Sequence, residues 1–156
     1  SLRITSDVPI GTALSGGLDS SSVVAMMRSV ADEQNLVCLQ RDWQHAFCSH
    51  YPNSVLDELF WAKKVARDSG VNLTTVTIDP TNTQTGLLTS MAITESPYLT
   101  PPLPMLQTYS AIKSHGISVS LDGHGSDEMF SGYGHIRKAL SCAKTRMQFF
   151  LLVPVL

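Results

Sequence analysis

The stretch Leu14-Ser15-Gly16-Gly17-Leu18-Asp19-Ser20-Ser21-Ser22 constrains this chain more than any other. Val8 to Leu14 ahead of it reads as a short apolar strand. Behind it, Val23, Val24, Met26, Met27 and Val30 recur at helical spacing. The stretch is therefore a turn from a strand end into a helix that runs from about Ser20 to about Asp32. Gly16 and Gly17 allow positive φ and close approach of a ligand to the backbone. Ser20, Ser21 and Ser22 place hydroxyls beside the unpaired N–H groups of the first helical turn. Open N–H groups and the helix dipole point the same way there, which suits an anion, phosphate above all.

No Gly-Lys-Ser/Thr occurs, so this is not a Walker A loop, and the glycine spacing is not that of a dinucleotide fold. Asp19 sets the turn apart. A carboxylate beside phosphate repels it unless a divalent cation lies between, so Asp19 points to a magnesium-bridged phosphate. A second corner, Leu121 to Tyr133, has Gly123 and Gly125 on either side of His124, followed by Asp127-Glu128. A carboxylate there would complete an oxygen cage for magnesium on pyrophosphate. Adjacent side chains diverge, so one of the pair faces the ion, and Asp127 is assigned that place.

The remaining pattern alternates strands and helices. His45 to His50 reads as a strand and Val55 to Ser69 as an amphipathic helix closed by Gly70, with Asp57-Glu58 complementing the dipole of its first turn. Leu73 to Ile78 is a β-branched strand. Thr81 to Ile93 reads as a helix despite Gly86, and Thr94 to Pro104 as a rigid loop with four prolines. Met105 to His115 is a helix and Ile117 to Leu121 a strand. This order predicts an α/β fold, a doubly wound parallel sheet with helices on both faces. Ligands of such sheets sit beyond the carboxyl ends of the strands, where both corners lie.

Composition narrows the function. With 156 residues there is room for one core, and 43% hydrophobic against 15% charged residues fits a globular chain. A net charge of -2 with dispersed Lys and Arg argues against nucleic acid or an acidic membrane as partner. Cys38, Cys48 and Cys142 lack metal or disulfide spacing and read as structural thiols of a reducing, cytoplasmic setting. Neither a signal peptide nor a membrane-length apolar run is present in the sequence. The histidines share no metal spacing, and Trp43 and Trp61 read as packing residues.

The first corner, with its lead-in Ser6-Asp7-Val8-Pro9-Ile10-Gly11, resembles the pyrophosphatase loop (PP-loop) of the N-type ATP pyrophosphatases. Within them it resembles the synthetase domain of glutamine-dependent asparagine synthetases. The second corner is similar to that family's S-G-E-G-x-D-E-x-F-x-G-Y, with Asp122 in place of Ser and His124 in place of Glu. The resemblance implies an adenine nucleotide α-hydrolase-like fold with ATP and Mg2+ as ligands. The implied reaction activates a carboxylate, aspartate in the family, as an acyl-adenylate that ammonia from a glutaminase domain then attacks.

It further implies that Ser15, Gly16, Gly17 and Ser20 hold pyrophosphate and that Asp19 and Asp127 hold magnesium. Leu14 and Gly123 would flank adenine through their backbones. Ser49 would end the strand that touches the ring, and Asp122 would offer an acceptor to the exocyclic amine. His124 and Glu95, the latter in a counterpart of the family's D-E-P, would serve the reacting groups. His124 donates as well as accepts, which leaves open a relative joining another acid and amine, as a β-lactam synthetase or peptide cyclase does. Residues 1–156 would be part of a synthetase domain, with the glutaminase domain before it and a later helical part after it. Such a piece is expected to bind MgATP without turnover. The sequence assigns no oligomeric state.

Overall fold

A computed structural model describes residues 4, 6–33, 42–79, 81, 83–95, 103–130, 132–134 and 138. The chain divides into two compact units, Ser1–Gly123 and His124–Leu156. The first unit holds β1 (Ile10–Ala13), α1 (Leu18–Glu33), β2 (Gln44–His50), α2 (Leu59–Ser69) and β3 (Asn72–Thr77). It continues with α3 (Thr83–Thr94), α4 (Leu103–Ser114) and β4 (Val119–Ser120). The second unit contains α5 (Ser126–Phe130).

The four strands form one parallel sheet in the order β3-β2-β1-β4. Alternation along the strands sorts side chains to two faces. On one face Ile10, Leu14, Ala46 and Cys48 meet α1 and α2 through Val24, Met27, Ala31, Ala62 and Ala66. On the other, Phe47 packs with Ile112 of α4 and with Ile117. Gly11 lies under α4, where an added Cβ would come within 3.1 Å of Ile112 Cγ2. The doubly wound α/β architecture read from the sequence is the one observed. The chain steps outward from β1 through β2 to β3, then returns to the far side of β1 for β4. The reversal puts the topological switch between β1 and β4, and their carboxyl ends carry the two glycine corners.

Several boundaries differ from the pattern reading. Pro9 has no N–H, and β1 begins after it, with Ile10 N–H donating to Trp43 O at 2.7 Å. The buried stripe of α1 is Ser20, Val24, Met27 and Ala31, a regular 3–4 spacing that leaves Met26 outside. α2 begins at Leu59 rather than Val55, because Asp57 ties the preceding turn. Its Oδ1 accepts from His50 Nδ1 at 3.0 Å, Tyr51 N–H at 3.1 Å and Leu59 N–H at 3.4 Å. Asp57 thus lies ahead of the helix, ties its approach and accepts the first helical N–H, that of Leu59. Gly70 closes α2 in the left-handed region at φ 65°.

Pro104, expected in the loop, lies in the first turn of α4, where a missing N–H costs nothing. The strand expected over Ile117 to Leu121 is only Val119–Ser120, the two residues that pair with β1. Gly86 sits in α3 because Leu103 occupies the place a side chain would need. Trp43 is buried as expected, whereas Trp61 is 55% exposed. Cys48 is a buried free thiol. Cys38, Cys142, His135 and most of the 94–104 loop lie outside the described residues. Among the described residues, no helix is long and apolar enough to cross a membrane.

Candidate active site

The first corner is held from two sides. Gly16 has φ 87°, and an added Cβ would stand 2.6 Å from both Ala62 N and Trp61 Cβ. The loop therefore needs glycine both for its backbone conformation and for its seat on the first turn of α2. Ser21 N–H donates to Gly17 O at 3.1 Å, so the N–H groups of Leu18, Asp19 and Ser20 precede the first intrahelical bond of α1. Gly17 N–H donates to Ser15 Oγ at 3.1 Å, and Ser15 Oγ lies 3.0 Å from Ser20 Oγ. Ser15 N–H donates to the same Ser20 Oγ at 3.3 Å. Ser15, Gly17 and Ser20 thus form one small hydroxyl-lined turn.

Ser22 stands apart from it, its hydroxyl donating back to Leu18 O at 2.7 Å. Ser21 Oγ is enclosed and has no hydrogen-bond partner among the described residues. Asp19 is half-buried. Among the described residues its carboxylate has neither an ion-pair nor a hydrogen-bond partner.

Asp122 and Gly123 join this corner from the end of β4. Asp122 Oδ1 accepts the N–H of Ala13, 109 positions away in the chain. Asp122 Oδ2 accepts from Tyr109 OH at 2.8 Å and from Ser120 Oγ at 2.6 Å. Burial and this carboxylate acceptor push the Tyr109 hydroxyl well above the ordinary tyrosine range. Gly123 presses on the start of α1, where an added Cβ would lie 2.8 Å from Ser20 N and 2.9 Å from Asp19 C. The fold thus brings Leu14 to Ser20 together with Asp122 and Gly123 at the switch point. Leu14 has its side chain in the core, 1% exposed, so only its backbone can face a ligand.

Other sequence-assigned residues sit as follows. Ser49 lies at the carboxyl end of β2, with its hydroxyl 2.8 Å from Thr108 Oγ1 of α4. Glu95 is exposed and follows α3 with φ 52°, a left-handed conformation unusual for a residue with a side chain. In the second unit His124 is exposed and Asp127 half-buried at the start of α5. Glu128 accepts from Tyr133 OH at 2.9 Å. A side chain at Gly132 would collide with Asp127 Oδ1. Among the described residues, no group of three His, Cys, Asp or Glu side chains could hold a metal ion by itself. Magnesium on phosphate needs fewer, since one or two carboxylates share it with phosphate oxygens and water. Tyr109 escaped the sequence reading, because a tyrosine in an amphipathic helix carries no local mark of its partner.

A family model described as asparagine synthase matches residues 1–151. The chain belongs to the asparagine synthase family. It is 30% identical over 140 residues to "Asparagine synthetase [glutamine-hydrolyzing] 3" of Arabidopsis thaliana, covering 88% of this chain and 24% of the relative. Identity to "Asparagine synthetase [glutamine-hydrolyzing] 2" of Oryza sativa subsp. japonica is 31% over 140 residues, 88% of this chain and 23% of the relative. "Asparagine synthetase [glutamine-hydrolyzing] 1" of Bacillus subtilis is 28% identical over 141 residues, 90% of this chain and 21% of the relative. This asparagine synthase-family chain thus spans about a quarter of the length of the curated relatives it matches.

Proposed function

We propose that this chain is the nucleotide-binding part of an ATP-dependent amide ligase that activates a carboxylate, aspartate first among candidates, as an acyl-adenylate. The observation that carries the reading is a half-buried Asp19, without an ion-pair or hydrogen-bond partner among the described residues, in a corner of open N–H groups with the Gly123 backbone pressed against it. A carboxylate at an anion-binding helix start is at odds with phosphate alone and in accord with phosphate plus a divalent cation. The enclosed Ser21 hydroxyl, without a partner among the described residues, also fits a corner built to receive a polar group.

In the proposed reaction a substrate carboxylate oxygen attacks the α-phosphorus of ATP, and the bond to the β-phosphate oxygen breaks. Pyrophosphate leaves and the acyl-adenylate remains. Ammonia then attacks the acyl carbon, loses a proton, and AMP departs. Bound magnesium would neutralise charge on the leaving pyrophosphate. Asp19 and Asp127 are its proposed ligands, and the Tyr133 bond to Glu128 favours Asp127 over its neighbour for that task. Ser15, Gly16, Gly17 and Ser20 would hold the pyrophosphate oxygens through N–H and hydroxyl groups.

The backbones of Leu14 and Gly123 would border adenine, near Ser49. Asp122 Oδ1 takes one protein donor and keeps capacity for a second, the exocyclic amine. His124 is assigned to charge on the adenylate and Glu95 to the acid. Ammonia would come from a glutaminase domain, in keeping with the "glutamine-hydrolyzing" in the relatives' names.

Calorimetric titration of the chain with millimolar MgATP tests the site. Heat is expected from the parent and not from Asp19→Ala, and equal heats would remove the loop assignment. Pyrophosphate release on adding aspartate and ammonia, in this chain or a longer one containing it, tests the substrate. Release that ignores aspartate would point to another acid.

A further inference from the structure

We infer that Tyr109 is a positioning residue whose hydrogen bond to Asp122 locks Asp122 and Gly123 onto the first glycine corner and so sets the affinity of the site for nucleotide. The inference rests on the function proposed above. Its starting point is the shortness of β4. The Gly11 carbonyl accepts Leu121 N–H at 3.0 Å, so odd-numbered residues of β1 face β4. The next such donor, Ala13 N–H, lies beyond the two-residue ladder of β4. The Asp122 carboxylate takes that donor instead, so a side chain continues the sheet where the strand has left it.

A side-chain carboxylate is a freer substitute than a backbone carbonyl, unless its other oxygen is held. Tyr109 OH and Ser120 Oγ hold it, at 2.8 and 2.6 Å. Ser120 is only two residues away and moves with Asp122. Tyr109 belongs to α4, which is anchored in the Phe47–Ile112–Ile117 cluster on the sheet. Ala13 of β1 holds one carboxylate oxygen, and Tyr109 clamps the other to a second rigid element, α4.

The consequence reaches the site through Gly123. Its backbone lies so close to Asp19 and Ser20 that any rotation of the Asp122–Gly123 peptide alters the surroundings of the open N–H groups of α1.

The test uses the 156-residue chain, with MgATP titrated calorimetrically and thermal unfolding followed without ligand. Tyr109→Phe keeps the ring and removes the hydroxyl. Loss of one hydrogen bond to a charged group predicts an affinity about tenfold lower. Ile112→Val thins the same α4 cluster without touching the clamp and serves as the packing control. It is expected to lower the melting temperature at unchanged affinity. Equal affinity of Tyr109→Phe and the parent would overturn the clamp alone. The same loss of affinity in Ile112→Val would reduce Tyr109 to a packing residue and overturn it too. No MgATP binding by the parent would overturn the proposed function and the clamp with it.

Discussion

Replacing Gly123 by alanine sets two effects against each other. Gly123 lacks the left-handed φ of Gly16, so alanine suits its backbone. On that ground the variant should gain about 0.4–1 kcal/mol through a less free unfolded chain. Against this, the new Cβ would stand 2.8 Å from Ser20 N and 2.9 Å from Asp19 C, where ordinary contact begins at 3.4 Å. Both obstacles are backbone at the start of a 16-residue helix, so neither can swing aside as a side-chain tip would. Overpacking of this kind costs about 1–3 kcal/mol. Taken at their midpoints, about 2 against about 0.7 kcal/mol, the two terms leave a net loss of about 1.3 kcal/mol.

For a chain of this size that is a fall in melting temperature of about 3–5 °C. Displacement of the corner should also weaken MgATP binding about tenfold, for roughly 1.4 kcal/mol lost at the site. Circular dichroism melts and calorimetric titration read the two quantities. Gly70→Ala provides the contrast. It has φ 65° with nothing within 4 Å of an added Cβ, so its cost is conformational. It should lower the melting temperature by a few degrees, for about 1 kcal/mol, at unchanged affinity. A Gly123→Ala chain that melts at or above the parent temperature would refute the close approach of Gly123 to the start of α1.

Two further outcomes follow from titratable groups away from the site. Burial, then the nearby His115, holds the pKa of His45 below the ordinary histidine value, with Asp42 opposing. The unfolded chain then binds more protons than the fold between that lowered value and about 6.5. Stability should therefore fall as pH drops through 6.5, and His115→Gln should flatten the fall in urea midpoints measured at pH 7.5 and 5.5. An unchanged slope would separate the two rings electrostatically, despite their 5.5 Å spacing. Burial pushes the Cys48 thiol up to about 11, with Asp57 and Glu58 adding to it. Iodoacetamide at pH 8 should leave Cys48 unlabelled in the native chain and label it in urea, as read by peptide mass mapping.

Elements with a strong local signature were legible from residues alone. The strand–turn–helix around Gly16 and Gly17, the Gly70 cap and the β-branched β3 all emerged in the expected order. Boundaries moved where a partner outside the element intervened. Asp57 bonds to His50 and Tyr51 and so postpones α2 to Leu59. β4 is short because only Val119 and Ser120 pair with β1. At the site, Gly16, Asp19 and Ser20 were singled out by type and spacing. Tyr109 was not, because its role lies entirely in a bond to a carboxylate 13 residues later. The seat of Gly16 on Trp61 and Ala62 was equally invisible, for the same reason.

The sequence by itself settled the fold class, the family and the residue types at both glycine corners. Periodicity, glycine freedom and helix-start chemistry act over a few neighbouring residues and leave their mark in them. Only the tertiary structure decided the strand order that puts the switch between β1 and β4. It alone gave Ala13 N–H to Asp122 and excluded a side chain at Gly123. Those depend on contacts between positions about a hundred residues apart, where the chain's path through space, not its local pattern, chooses the neighbour.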